Sequence, residues 1–309
     1  MTDSRAKYEQ LIDDLRADLR PQRQWGEGRG VFLVVGHFVV GIAAGAWFIA
    51  LGLGFRAGLA AAFALAALGG VAHLAFLGRP ERFWRMVARL RSSWISRGFL
   101  GLSLFLVGAF LYLAPMFLAD SPWPAKSPLA LAGYWLAIAG AALLIVYMGF
   151  VYTASKAIPF WNSPLHPALY VAYALRGGIA AVLVAAALTG QHLESAPTLV
   201  AAWLGVTAVA VLLFVLEIHG AATSGNAAAR RSVRELFAGR TSVHFYVGTL
   251  AVGLIVPAAL AIAGLSAPLT IHTMAAIGVA SAAGDFFVKY STIRAGVHLP
   301  LWHSAPARR

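Results

Sequence analysis

The sequence predicts an all-α protein that crosses a membrane eight times, its helices grouped as two four-helix bundles. Three observations predict this. Hydrophobic residues fill 60% of the 309 positions and charged residues only 12%, with a mean hydropathy of +0.75. A soluble domain of this size cannot hide that much apolar surface. The apolar residues fall in eight runs, each near the roughly 20 residues that a spanning helix needs. The basic residues collect in alternate loops, as they do when loops are sorted between two membrane faces. A soluble enzyme, a disordered chain and a nucleic-acid-binding module are therefore excluded, and the net charge of +12 marks loops rather than a nucleic-acid footprint.

Residues 1–30 carry six basic residues (Arg5, Lys7, Arg16, Arg20, Arg23, Arg29) and six acidic ones (Asp3, Glu9, Asp13, Asp14, Asp18, Glu27). They lack the apolar core and small-residue cleavage site of a signal peptide. Tyr8, Leu11, Ile12, Leu15 and Leu19 share one helical face, which predicts an amphipathic helix lying on membrane lipid or docking a partner subunit. The first span, 31–53, holds Gly41-Ile42-Ala43-Ala44-Gly45, small residues that let a neighbouring helix approach closely. The second, 57–77, runs into Gly78-Arg79-Pro80. Pro80 suits the first turn of a following surface helix with Arg82, Arg85 and Arg89 on one side. The other spans are 98–118, 129–151, 168–188, 199–216, 243–263 and 270–289, rich in Ala, Leu, Gly and Val. None alternates polar and apolar residues as a barrel strand does. The chain thus divides into an N-terminal segment (1–30), a membrane domain (31–290) and a C-terminal tail (291–309).

An even number of spans puts both termini on one face. On that face lie six Lys/Arg of the N-terminal segment, six of the 78–97 loop, and Lys156 with Arg176. Four of the 217–242 loop and four of the C-terminal region (Lys289, Arg294, Arg308, Arg309) complete the set. Only Arg56 and Lys126 lie opposite. The asymmetry predicts that both termini are cytoplasmic, unless some of these arginines dock a partner; the expected location is a bacterial inner membrane. Trp25, Trp47, Trp94, Trp123, Trp161 and Trp302 fall near span ends or in tails, as an aromatic belt does.

Chemistry is expected at the histidines. His37 sits seven residues inside its span, roughly 10 Å at 1.5 Å per residue, and His73 lies at similar depth five residues before Gly78. Polar groups that deep are expensive and mark function. Imidazole donates a hydrogen bond or takes a proton near neutral pH, which is what a quinone headgroup requires of its site. A bis-histidine haem on the same two residues is an alternative. His166, His219 and His244 lie towards the same face. Asp285, four residues before Lys289, is spaced for a salt bridge or a proton relay step, and so is Glu217 with Arg230 and Arg231 in its loop. Arg176 is expected to snorkel to the interface. The absence of cysteine excludes thiolate-held iron–sulfur clusters and disulfides, so electrons must come from another subunit or a bound organic molecule. Spans 1–4 and 5–8 each carry a long basic loop after their second helix, entered past His73 and His219. Such halves are parallel, unlike the inverted repeats of many secondary transporters, the other alternative considered.

Four segments resemble a known family. They are Gly41-Ile42-Ala43-Ala44-Gly45; His73 with Gly78-Arg79-Pro80, Arg82-Phe83-Trp84-Arg85 and Ser92-Ser93-Trp94-Ile95-Ser96; Gly239-Arg240-Thr241-Ser242-Val243-His244-Phe245-Tyr246-Val247-Gly248 with Pro257; and Lys289-Tyr290-Ser291-Thr292-Ile293-Arg294-Ala295-Gly296. In that order on eight spans they resemble the integral membrane anchors of molybdopterin oxidoreductases, the group of dimethyl sulfoxide reductase, polysulfide reductase and NrfD-type subunits. Trp25-Gly26-Glu27-Gly28-Arg29-Gly30 and the Tyr152, Lys156, Trp161-Asn162-Ser163-Pro164 stretch are similar to phenylacetyl-CoA:acceptor oxidoreductase anchors. The resemblance implies an anchor with no redox metal or haem of its own. It would bind ubiquinone or menaquinone near a docked four-cluster ferredoxin-like iron–sulfur subunit, which serves a molybdopterin catalytic subunit. His73 carries over as a quinol-site residue. From the residues themselves, His37, Arg79 and Trp84 are expected as further quinone contacts, Arg82, Arg85 and Arg89 for partner docking, and Asp285 and Glu217 for proton transfer. Where some members have an acidic residue entering the third span, this chain has Arg97-Gly98, so the proton route need not be shared.

Overall fold

The computed structural model describes residues 2–16, 19–266 and 268–300. An amphipathic helix, α1 (Thr2–Arg16), precedes the spans α2 (Gly30–Gly52), α3 (Arg56–Phe76), α4 (Trp94–Phe117), α5 (Pro128–Thr153), α6 (His166–Leu188) and α7 (Ala196–Thr223). A short helix, α8 (Ala227–Ala238), follows. The seventh span begins as π-helix (His244–Ile255) and continues as α9 (Val256–Ser266); α10 (Ile271–Ala295) is the eighth. Within lipid every backbone polar group must be satisfied by the segment itself, which favours long helices. Their starts are set locally. Ser93, Ser127, Asn226 and Thr270 each accept backbone N–H bonds at the first turns of α4, α5, α8 and α10.

The expected two bundles are present, α2–α5 and α6–α10, with α2 and α6 packed along each other at the seam. Gly45 makes that contact possible: a Cβ there would lie 1.9 Å from the Ala174 carbonyl oxygen. Gly178 answers it across the seam, where a Cβ would come within 2.4 Å of the Gly45 backbone.

Six of the eight spans are longer than the sequence suggested, and three of them move an end by four residues or more. α4 starts at Trp94 rather than 98, α7 runs to Thr223 rather than 216, and α10 to Ala295 rather than 289. The expectation stopped at polar residues that prove to be paired or packed inside the protein, among them Glu217 and Lys289. Arg176 does not snorkel. It is 5% exposed in mid-α6, and Lys289 is 1% exposed in α10. Neither belongs to a loop, so both leave the loop-charge count, which still favours the same face.

The N-terminal amphipathic helix ends at Arg16, before Leu19, and exposes Tyr8 and Leu11. The basic block is a surface element as expected, but it is 3₁₀-helix (Pro80–Arg89). At three residues per turn Arg82 and Arg85 share a face and Arg89 falls off it. Trp47 and Trp161 are buried rather than belted at an interface. The side chain of Leu15 and residues Trp302, His303, Arg308 and Arg309 lie outside the described residues. Next to the spans, the segment around residue 21 pairs with the C-terminal one: Gln22 N donates to Gly296 O (2.8 Å) and His298 N to Arg20 O (2.8 Å). Glu27 accepts from Arg294 (2.7 Å).

Candidate functional site

His37 on α2 and His73 on α3 meet, their ring centroids 5.2 Å apart. Gly36 makes room, since a Cβ there would lie 2.5 Å from His73 Nδ1. His73 Nδ1 lies 2.7 Å from Gly69 O, one turn back in its own helix. A carbonyl only accepts, so Nδ1 carries the hydrogen, and in the neutral ring Nε2 is left as an acceptor. His37 Nδ1 is 2.7 Å from the Tyr152 hydroxyl, and both residues are buried. The two imidazoles line a cavity of about 230 Å³ between α3 and α4, closed behind by α2 and α5. Trp25, Met86, Phe99 and Tyr147 form most of the remaining wall near them. An apolar recess with a few convergent polar atoms suits a small ligand. This one offers an acceptor nitrogen beside a second, hydroxyl-tethered imidazole.

A polar trail leads from this cavity into the seam. The Tyr152 ring lies 5.2 Å from Tyr170, and Tyr170 lies 5.0 Å from His166. His166 Nδ1 reaches both carboxylate oxygens of Glu217, at 2.8 and 3.0 Å. Among the described residues, none forms a hydrogen bond with the Tyr170 hydroxyl, His166 Nε2 or Lys289 Nζ. Lys289 Nζ sits 5.6 Å from the Tyr170 ring centre and 6.0 Å from that of Tyr173. Deeper in the second bundle, Arg176 donates to Asp285 and to the Gly253 carbonyl, and its Nε to Thr207 Oγ1 at 3.0 Å.

These contacts correct two pairings read from spacing. Asp285 bonds Arg176 across helices, not Lys289 along its own, and Glu217 bonds His166 rather than Arg230 or Arg231. Arg231 pairs with Glu235, and Arg230 bonds Ser224 O. Of the expected quinone contacts, His37 and His73 come together. Arg79 and Trp84 do not join them: both are exposed and neither lines the cavity. Arg82, Arg85 and Arg89 are exposed beside it. Arg29 meets the end of α3, donating to Ala75 O (3.0 Å) and Leu77 O (2.7 Å). Trp25, Tyr147 and Tyr152 are site residues that spacing did not flag. Trp25 also stacks on the buried Trp161, 5.2 Å away, which fixes it over the cavity.

The family model "Polysulphide reductase, NrfD" matches residues 25–300. The chain belongs to the NrfD polysulphide reductase family. The match takes in all eight spans, the paired imidazoles and the seam. A relative, Protein NrfD of Escherichia coli (strain K12), is 28% identical over 201 residues, covering 59% of this chain. The match spans 63% of that relative's own length. With eight helices long and apolar enough to cross a membrane, the chain is a multi-pass membrane protein of that family.

Proposed function

We propose that this chain is the quinone-reactive membrane subunit of a molybdopterin iron–sulfur oxidoreductase complex. It passes electrons between the membrane quinone pool and a docked four-cluster ferredoxin-like subunit. The observation that carries this is the imidazole pair, with its fixed tautomer, lining an apolar cavity at the basic end of the bundle. Ubiquinone or menaquinone is the substrate. His73 Nε2 accepts a hydrogen bond, and then the proton, from a quinol hydroxyl, while Gly69 O holds the ring in that tautomer. His37 contacts the second oxygen and passes its proton to or from Tyr152. From there Tyr170, His166 and Glu217 form the route towards the loop face. Asp285, held through Oδ1 by Arg176, serves with Glu217 as a proton carrier.

The exposed Arg82, Arg85 and Arg89, together with the neighbouring Arg79 and Trp84, present a basic-aromatic surface for the iron–sulfur subunit at the cavity mouth. The loop charges, 20 on one face once Arg176 and Lys289 are set aside, favour the inner membrane with cytoplasmic termini and cytoplasmic partners. A bis-histidine haem fits the geometry poorly. Its macrocycle would have to pass between rings 5.2 Å apart and tilted by 53°. The test is binding of a short-chain quinone to the purified subunit, followed by the part of the tryptophan emission that Trp25→Phe removes. Saturable quenching that is lost in His73→Ala is expected. Equal quenching in both proteins contradicts the assignment.

A further inference from the structure

Among the described residues, each half of the molecule forms a cavity, and the two occupy matching places. The first lies between the second and third spans of its half, α3 and α4. The other lies between the second and third spans of the second half, α7 and the π-helical segment, against α6 and α10. At about 530 Å³ it is the larger, and it falls in the range of ligand pockets. Its wall is almost wholly apolar, with Phe214, Phe245 and Leu250 prominent. α7 packs on α6, α8 and α9 but makes little contact with the π segment. The cleft therefore opens sideways towards lipid, past Val211 and Val215, which are 40% and 55% exposed. The segment that forms one wall runs as π-helix for 12 residues, far beyond the single-turn bulges usual for this geometry, and such departures gather at functional sites.

At its polar end stand Arg176, Asp285, Thr207 and Thr249. Arg176, Asp285 and Thr207 are buried at this end, and neither Asp285 Oδ2 nor the Thr249 hydroxyl presents a surface to the cavity. The Arg176 charge is already met by Asp285, so a phosphate headgroup would find a compensated cation and a repelling carboxylate. An uncharged ring head lies against this charge-compensated, largely apolar end without that penalty.

We propose that this second cavity binds a second prenylated ring lipid of the quinone and quinol class, entering from the membrane between α7 and the π segment. Only the ligand class rests on the functional proposal above.

The test is photolabelling of the intact protein in native membranes with an azido-substituted short-chain ubiquinone, with adducts mapped by mass spectrometry. Adducts are expected in two sets of peptides, 33–40 and 95–102 for the first cavity, 207–222 and 245–254 for the second, and excess unlabelled quinone should suppress both. Ala210→Phe places a ring into the second cavity from α7. It should lower labelling there about tenfold, equivalent to about 1.4 kcal/mol, and leave the first set unchanged. Val215→Trp, at the exposed lip, makes the same test without touching the core. Adducts in the first set alone overturn this proposal and leave the functional one standing. Adducts in the second set alone do the reverse. Second-set labelling that survives competitor or both substitutions overturns the site. Native mass spectrometry showing a phospholipid held there instead overturns the ligand class.

Discussion

Tyr152→Phe isolates the link between the imidazole pair and the seam. The hydroxyl is the hydrogen-bond partner of His37 Nδ1, 2.7 Å away between two buried residues. Phenylalanine keeps the ring, and with it the edge contacts to Trp161 and His166 at 5.4 and 5.8 Å. Little packing is lost, because only one oxygen is removed. What remains is a buried imidazole nitrogen with no partner, which costs about 1–3 kcal/mol. If His37 must hold its tautomer and pass its proton through this hydroxyl, quinol-dependent turnover falls by about 5- to 150-fold, the same energy written as a rate. Activity of the catalytic subunit with an artificial dye is unaffected, because the dye bypasses this chain. The assay is quinol-coupled and dye-coupled turnover in the same membranes across pH, with protein level checked by immunoblot. Unchanged quinol-coupled turnover and an unchanged pH profile would refute the proposed route through Tyr152.

Arg176→Met leaves Asp285 charged and unpaired in the bundle and should cost about 3–5 kcal/mol; adding Asp285→Asn should recover part of it, read by thermal unfolding of the purified protein. Gly45→Val drives a side chain into the Ala174 carbonyl, so the two halves should fail to close and the protein should be degraded, whereas Gly52→Val, with open space around it, should accumulate normally. Glu235 on α8 is buried, which alone would raise its carboxyl. The backbone N–H and guanidinium of Arg240, with Arg231, outweigh that and hold it below the usual 4.5. A lowered carboxyl stabilises the fold above its ordinary value and loses that contribution as pH falls through the folded one. The unfolding temperature of Glu235→Gln should therefore lie below wild type at neutral pH and converge on it only as pH falls through the lowered value of the folded carboxyl.

The eight spans were legible because apolar length is a local property of the chain. So was the close approach at Gly45, which small residues announce. His37 and His73 were legible as a pair because both stand at one depth on consecutive antiparallel spans. The partners of the buried charges were not. Asp285 and Lys289 share a helix face in the sequence, yet Asp285 is met by Arg176, 109 residues away. Glu217 is likewise met by His166, 51 residues away. Local spacing carries no information about which spans adjoin across the seam. Arg176 was misplaced for a related reason: a snorkelling arginine and a buried one look alike until a carboxylate is set beside them. The π stretch had no advance signal beyond Pro257, which frees a carbonyl but does not fix the register before it.

The quinone assignment is tested most directly at His73. Its ring is tethered by Gly69 O and adds little apolar burial, so His73→Ala should leave the complex assembled. Losing one hydrogen bond to the headgroup should weaken quinone-coupled turnover by roughly 5- to 150-fold, about 1–3 kcal/mol, while dye-coupled turnover in the same membranes persists. If both activities fall together, or if quinone-coupled turnover is unchanged, the cavity between α3 and α4 is not where this protein meets the quinone pool.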